Sequence, residues 1–425
     1  MIDELYQIFR QHPSAQTDTR KLKPGDIFFA LKGASFNGNR FAKQAIEMGA
    51  ALAVIDEKEF EIPGKTLLVP DVLTALQQLA KKHRRQFTIP FIAITGSNGK
   101  TTTKELVHAV LSTTYKTYTT EGNLNNHIGI PLTLLKIKSD AEMAVIEMGA
   151  NHQKEIEGYC TYALPTHGVI TNCGKAHLEG FGGIEGVKKG KGELYDFLRA
   201  NNGTAFVMWD YDYLQTMSRG IPQIIKYGAS HADVEGKIIA AEPFLQMEIT
   251  KGTAPVKIKS NLVGAYNFPN ILAAVTVGSH FHVAADKIKQ AIENYIPANS
   301  RSQLIEKETN KIILDAYNAN PSSMKPAIEN FAGLHAENKI LMLGAMAELG
   351  EQSLQEHKAV VDLIGRYPWK EVVLVGGDFL RLNHPYTSFE NADQAKEWFK
   401  KMNFRHSYIL IKGSRSMQME KVLED

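Results

Sequence analysis

Short apolar runs recur along this chain, separated by longer stretches in which apolar residues return every third or fourth position. The runs read as buried strands and the stretches between them as amphipathic helices. Residues 26–31, 51–55 and 65–69 are expected to be strands, with helices over 40–48 and 71–85. The second of these helices ends in Lys81-Lys82-His83-Arg84-Arg85, which reads as a solvated C-terminus facing a linker. Further strands are expected over 91–95, 144–148, 168–171 and 205–209, with helical patterns between the first three. Residues 221–263 alternate and look richer in strand. From 299 onward the rhythm is cleaner, with strands over 312–315, 340–343, 372–375 and 408–411 and helices between. Strand–helix alternation of this kind predicts parallel β-α-β units. The expected fold class is therefore α/β in three segments: a small unit over 1–85, a central parallel sheet over 86–298, and a doubly wound, Rossmann-like unit over 299–425.

Composition narrows the class. The 425 residues are 44% hydrophobic and 22% charged, with a net charge of +2, as expected of a globular protein with no polyanion-binding patch. No nucleic-acid partner is expected. No apolar run is long enough to span a membrane, and the start, Met1-Ile2-Asp3-Glu4, lacks the pattern of a signal peptide. Two cysteines, Cys160 and Cys173, make no disulfide framework or zinc spacing. The expectation is a cytoplasmic protein, acting as a monomer.

The chemistry begins where the apolar run 91–95 meets Thr95-Gly96-Ser97-Asn98-Gly99-Lys100-Thr101-Thr102, just before a helical pattern. Strand, glycine loop, Lys-Thr and helix form a cradle for a nucleotide triphosphate. Backbone N–H groups and the helix N-terminus face the phosphates, Lys100 adds a full positive charge, and Thr101 offers a hydroxyl to Mg²⁺. Only two residues separate the glycines, against the usual four, so the flanking strand and helix carry the assignment. Two more strand ends bring polar groups to the same edge. Glu147 ends one and is placed to hold Mg²⁺; His177 follows another in a glycine-rich loop and is a candidate for a metal or substrate role. Lys188, Lys189 and Lys191 are expected to open a helix. Cations there oppose the macrodipole, so either an anionic ligand or conversion of a lysine to an anion would explain them.

These motifs, with Glu121-Gly122-Asn123-Leu124-Asn125-Asn126-His127, Tyr266-Asn267-Phe268-Pro269-Asn270, Asp315-Ala316-Tyr317-Asn318-Ala319-Asn320-Pro321, Leu343 through Gly350 and Lys412-Gly413-Ser414-Arg415, stand in the order found in the Mur ligases. The whole chain resembles that family, ATP-dependent ligases that build the peptide of cell-wall precursors. The Asn-Leu-Asn-Asn and Tyr-Asn-Ala-Asn-Pro forms resemble the branch that adds D-alanyl-D-alanine to UDP-N-acetylmuramoyl-tripeptide. The resemblance implies ATP contacts from residues 95–102, that is Thr95, Gly96, Ser97, Asn98, Gly99, Lys100, Thr101 and Thr102, and from Asn270, Arg301 and Asp315. It implies Mg²⁺ held by Thr101, Glu147 and His177, and by Lys191 once carbamylated by CO₂. Thr17, Asp18, Thr19, Arg20, Asn37, Gly38 and Asn39 match the part that binds the UDP end. Asn318 and Asn320 fall on the dipeptide side. Three places depart from the usual pattern: Ser300-Arg301-Ser302 replaces a Gly-Arg pair, Ala345 stands where an acid is common, and Asn172-Cys173-Gly174 is a variant form.

The implied reaction activates the tripeptide carboxylate as an acyl phosphate, which the dipeptide amine then attacks. Lys100, His177 and Lys191 are the expected catalytic residues, and the general base is either His177 or a loop carboxylate. Another amide ligase of the superfamily, or an ATPase making no bond, are the competing readings. The first lacks the Asn-Leu-Asn-Asn motif, and the second predicts hydrolysis indifferent to amino acids. The sequence does not distinguish lysine from diaminopimelate as the third residue of the accepted peptide.

Overall fold

The computed structural model describes residues 1–298 and 300–424. Asn299 and Asp425, the two ends expected for the third segment, lie outside the described residues. Three large sheets organise the rest, with a two-stranded ribbon, Lys32–Gly33 and Phe36–Asn37, in the first unit. The first has four parallel strands in the order Ala15–Gln16, Ile27–Phe29, Leu52–Ile55 and Thr66–Leu68. The helix Ile2–Gln11 and the short strand Ala15–Gln16 were not among the expected elements. That helix packs on Val72–Arg84, which packs in turn on Gly129–Leu135 and Glu155–Ala163 of the central unit.

The basic end of Val72–Arg84 is not the solvated terminus that its composition predicts. Arg84 is buried and donates to the carbonyls of Ala163 (2.9 Å), Leu164 (2.8 Å) and Phe87 (2.8 Å). Its guanidinium lies 3.6 Å from the centre of the Phe91 ring. His83 sits against Phe9 and Phe87, with Nε2 2.8 Å from the carbonyl of Ile137. The charges that read as a solvated face thus tie the first unit to the second. A planar fork with several donors suits a ring of buried carbonyls, whose bonds would otherwise go unmade.

The central sheet has nine strands. Phe91–Thr95 lies between Met143–Glu147 on one side and His167–Ile170 on the other, all parallel. Beyond Met143–Glu147 comes Thr117–Thr119; beyond His167–Ile170 come Thr204–Met208 and Gln223–Gly228. Residues 221–263 extend this sheet with Val234–Ala240, Phe244–Lys251 and Val256–Val263, the last two pairings antiparallel. The chain leaves Phe91–Thr95 to one side and later returns to the other. Its C-terminal end is therefore a topological switch point, where open α/β sheets form their ligand crevice.

The third sheet runs Gln303–Lys307, Asn310–Asp315, Tyr408–Lys412, Lys339–Gly344, Glu371–Val375 and Thr387–Phe389, parallel except for the first pair. Its register sets Asp315 directly beside Lys412. The expected strands of all three segments are present, within a residue or two at their ends.

Candidate active site

A cavity of about 980 Å³ opens at the C-terminal ends of the central and third sheets. Ser97 to Thr102 line it, and so do Glu147, His177, Asn270, Arg301, Asp315 and Asn318. Thr95, Gly96, Lys191 and Asn320 stand just behind its wall. Thr17, Asp18, Thr19, Arg20, Asn37, Gly38 and Asn39 do not reach it.

The phosphate loop is fixed from three directions. Thr95 donates through Oγ1 to the carbonyl of Met148 (2.7 Å). Ser97 Oγ donates to the Gly174 carbonyl and accepts from the Gly174 N–H, both at 2.9 Å. Thr171 Oγ1 donates to the carbonyl of Asn98 (2.6 Å). Gly96 and Gly99 have φ of +143° and +79°. A Cβ at Gly96 would lie 2.0 Å from Thr171 Oγ1, and one at Gly99 2.5 Å from Asn270 Oδ1. Glycine is therefore required twice over, by backbone conformation and by close approach. Lys100 opens the helix Lys100–Ser112 and donates to the carbonyls of Gly96 (2.8 Å) and Ser97 (3.3 Å). Burial pushes its pKa down, and Glu147 pulls it back up.

Glu147 is 1% exposed. One oxygen accepts from Asn125 Nδ2 at 2.7 Å; the other is buried with no hydrogen-bond partner. A buried carboxylate oxygen left free beside a phosphate loop fits a cation held jointly by protein, phosphate and water. Among the described residues no group of three or more His, Cys, Asp or Glu is placed to hold a metal ion. His177 lies in the left-handed region (φ 52°) in front of the short helix Leu178–Phe181. Its Nδ1 is 2.5 Å from a carboxylate oxygen of Glu348, which is also left-handed (φ 60°). The ring holds the Glu348 carboxyl below the usual range.

Lys191 departs from its expected setting. Its helix is Ile184–Ala200, beginning after Gly182 and Gly183, so Lys191 lies in the middle and the macrodipole argument does not reach it. Burial is its peculiarity: 1% exposed, it donates to the carbonyl of Ala150 (3.0 Å) and stands 4.9 Å from the Phe181 ring centre. Desolvation, helped by the charge on Lys100, pushes its pKa down to about 7.

The third unit closes the cavity. Arg301 stacks on Tyr317 at 3.5 Å. Asp315 is held through both oxygens, by the Ser302 N–H (3.1 Å) and Lys412 Nζ (2.5 Å). Lys412 was missed as a site residue although its motif was read, because its partner is distant in sequence; parallel register brings the two together. Tyr211 and Tyr213, stacked 5.6 Å apart on the cavity wall, carried no motif at all. Asn320 caps the helix Pro321–Gly333 and exchanges amide hydrogen bonds with Asn98 (2.8 and 3.4 Å), so it meets the phosphate loop rather than lining the cavity. In the first unit, Asp18 caps a short turn and pairs with Arg20, and Asn39 is buried on Asp56 (2.8 Å).

Residues 15–84 match the Mur ligase family, catalytic domain; residues 94–278 match the Mur ligase middle domain; residues 300–415 match the Mur ligase, glutamate ligase domain. The chain belongs to the Mur ligase family. It is 35% identical to the UDP-N-acetylmuramoyl-tripeptide–D-alanyl-D-alanine ligase of Bacillus subtilis, over 96% of this chain and 92% of that one. The ligase of the same name from Escherichia coli is 34% identical over the same shares. Among solved structures, MurF from Acinetobacter baumannii superposes with a TM-score of 0.88 at 30% identity, over 96% of this chain and 92% of that one. MurF ligase from Thermotoga maritima in complex with ADP gives 0.87 at 25% identity, over 97% and 96%.

Proposed function

We propose that this Mur ligase joins D-alanyl-D-alanine to UDP-N-acetylmuramoyl-tripeptide at the expense of ATP, in the synthesis of peptidoglycan. The observation that carries the reading is the joining of a phosphate loop, a free buried Glu147 oxygen and a third-unit wall in one cavity, in a chain that matches ligases of this name along nearly its whole length. The working division is 1–85 for the UDP end of the donor, 86–298 for ATP, and 299–425 for closing over the nucleotide and receiving the dipeptide.

The donor carboxylate attacks the γ-phosphorus of ATP, a P–O bond to ADP breaks, and an acyl phosphate results. Two anions meet in this step. The Lys100 ammonium and the helix N-terminus behind residues 97–102 offset their repulsion and hold the phosphates in line. Thr101 would hold one Mg²⁺ with the triphosphate, and Glu147 with His177 a second, to which a carbamate on Lys191 would add a further carboxylate; bound there, the ions would neutralise phosphate charge. The pKa of Lys191 near 7 leaves much of its amine uncharged at neutral pH, the form that adds to CO₂ with loss of one proton. Asn270, Arg301 and Asp315 place the nucleoside. The dipeptide nitrogen then attacks the acyl carbon, sheds a proton, and expels phosphate from the tetrahedral intermediate. His177 or a loop carboxylate would take that proton. Closure by the third unit keeps water from the acyl phosphate.

A cytoplasmic monomer is the natural setting for this chemistry. Among the described residues no helix is long and apolar enough to cross a membrane. The decisive assay is phosphate release with the UDP-linked tripeptide, with and without D-alanyl-D-alanine. Release that ignores the dipeptide refutes a ligase, and near-normal turnover in Lys100→Ala refutes the phosphate assignment.

A further inference from the structure

The cavity is lined by four carboxylates: Glu147, Glu155, Asp315 and Glu348. Three are committed. Asp315 is neutralised by Lys412. Glu155 accepts from the N–H groups of Asn151 (2.6 Å) and His152 (2.9 Å). Glu147 is buried against Asn125, and its free oxygen beside the phosphate loop would be taken by Mg²⁺. Glu348 differs. Its side chain is half exposed; its one ion pair among the described residues is with the His177 ring, and His152 acts on it from farther off.

The backbone aims it. Glu348 follows the strand Lys339–Gly344 in a left-handed conformation, and its carbonyl accepts from the Glu179 N–H (3.3 Å) across the gap between the units. A few residues away, the Met346 N–H donates to buried His357 Nε2 (3.0 Å). Such a backbone is uncommon for a side chain as long as glutamate and is retained where the surroundings insist on it.

ATP, the nucleotide-linked donor and the acyl phosphate are all anions. A poorly compensated carboxylate at their cavity disfavours each of them. One reactant brings a positive charge, the dipeptide, whose α-amino group is largely protonated at neutral pH. Resting on the ligase reading, we propose that Glu348 is the recognition residue for the ammonium group of the incoming dipeptide, delivering its nitrogen beside His177 when the third unit closes. The carboxylate prefers an acceptor with a charged amine over one of the same shape without it.

The test uses the full-length enzyme with saturating UDP-linked tripeptide. Wild type must first show dipeptide-dependent phosphate release; failure there sinks the ligase reading and not this inference alone. Glu348→Gln is then expected to raise the KM for D-alanyl-D-alanine by about 10- to 100-fold, the range of one charge-assisted hydrogen bond. The KM for ATP and the Mg²⁺ requirement should stay within about twofold, and Glu348→Asp should recover part of the loss. D-lactyl-D-alanine, with a hydroxyl for the ammonium, should inhibit wild type and Glu348→Gln equally, and wild type only at concentrations well above the dipeptide KM. An unchanged dipeptide KM overturns the proposal. So does a parallel rise for ATP or Mg²⁺, which would make Glu348 a closure contact or part of a metal site. Should Glu348→Gln fail to bind ADP, the wild-type comparison decides alone: equal affinity for the two acceptors refutes ammonium recognition.

Discussion

Lys191 offers a quantitative test because the burial that leaves its amine uncharged also makes its ammonium costly to the fold. A fall of its pKa from 10.5 to about 7 corresponds to about 5 kcal/mol of preference for the uncharged amine. Between those values the unfolded chain binds a proton that the folded one releases, so stability rises with pH across that window and is lost as pH falls toward 7. Lys191→Met keeps the length of the side chain and removes the charge. It gives up the bond to the Ala150 carbonyl, worth about 1–2 kcal/mol, so the net gain at pH 7 is about 3 kcal/mol. The variant should unfold at higher denaturant in CO₂-free buffer at pH 7, and its advantage over wild type should shrink as pH rises from 7 to 10. It should also lose ligase turnover, since no carbamate can form. A variant no more stable than wild type at pH 7, or an advantage that does not shrink as pH rises across this window, refutes the claim that the ammonium is buried at a cost.

With ¹³C-labelled bicarbonate, wild type should show a carbamate resonance that Lys191→Met lacks; a spectrum identical in both removes the carbamate from the mechanism. Gly96→Ala should cost about 3–5 kcal/mol, combining left-handed strain with displacement of the Thr171 hydroxyl from its two carbonyls. The same change in a Thr171→Ala background should cost about 2 kcal/mol less, and denaturant melts giving equal costs would rule out the clash. Arg84→Ala should destabilise by about 2–4 kcal/mol through the carbonyls it abandons, and limited proteolysis should then release the first unit; a protease-resistant variant would contradict its role as an anchor.

The legible parts of this molecule are those in which neighbours in sequence act together. The strand, glycine loop and helix around Lys100 are local, and so is the glutamate ending Met143–Glu147. What stayed hidden depends on residues far apart. Asp315 and Lys412 meet only through strand register. Asn320 reads as a substrate-side residue within its motif, yet its partner is Asn98. Arg84 stands in a run of cations, and nothing local reveals that carbonyls of another unit await it. The misplaced start of the Lys191 helix had a signal in Gly182-Gly183, a natural stop before a new helix.

The two joints of the molecule are built from different chemistry, which bears on how it works. Between the first and second units, Arg84 is buried and His83 is wedged among aromatic rings. Opening that joint would strand a guanidinium's partners and expose apolar surface, so it is costly. Between the second and third units, apolar residues still meet away from the cavity, but the contacts around it are polar. Asn98 meets Asn320, the Lys175 N–H meets Ser322 Oγ (2.6 Å), Lys175 Nζ pairs with Glu356 (2.5 Å), and His177 meets Glu348. Water can replace each of these at little cost, and partly exposed ion pairs add little stability. Such an interface can part to admit ATP and release ADP, then reform around reactants. The donor's nucleotide end would be held on the fixed joint, while the polar joint opens and shuts over the reacting carbonyl. Since Asn98 and His177 belong to the loops that form the phosphate site, closing the third unit also braces that site, so the acyl phosphate forms where water has just been excluded.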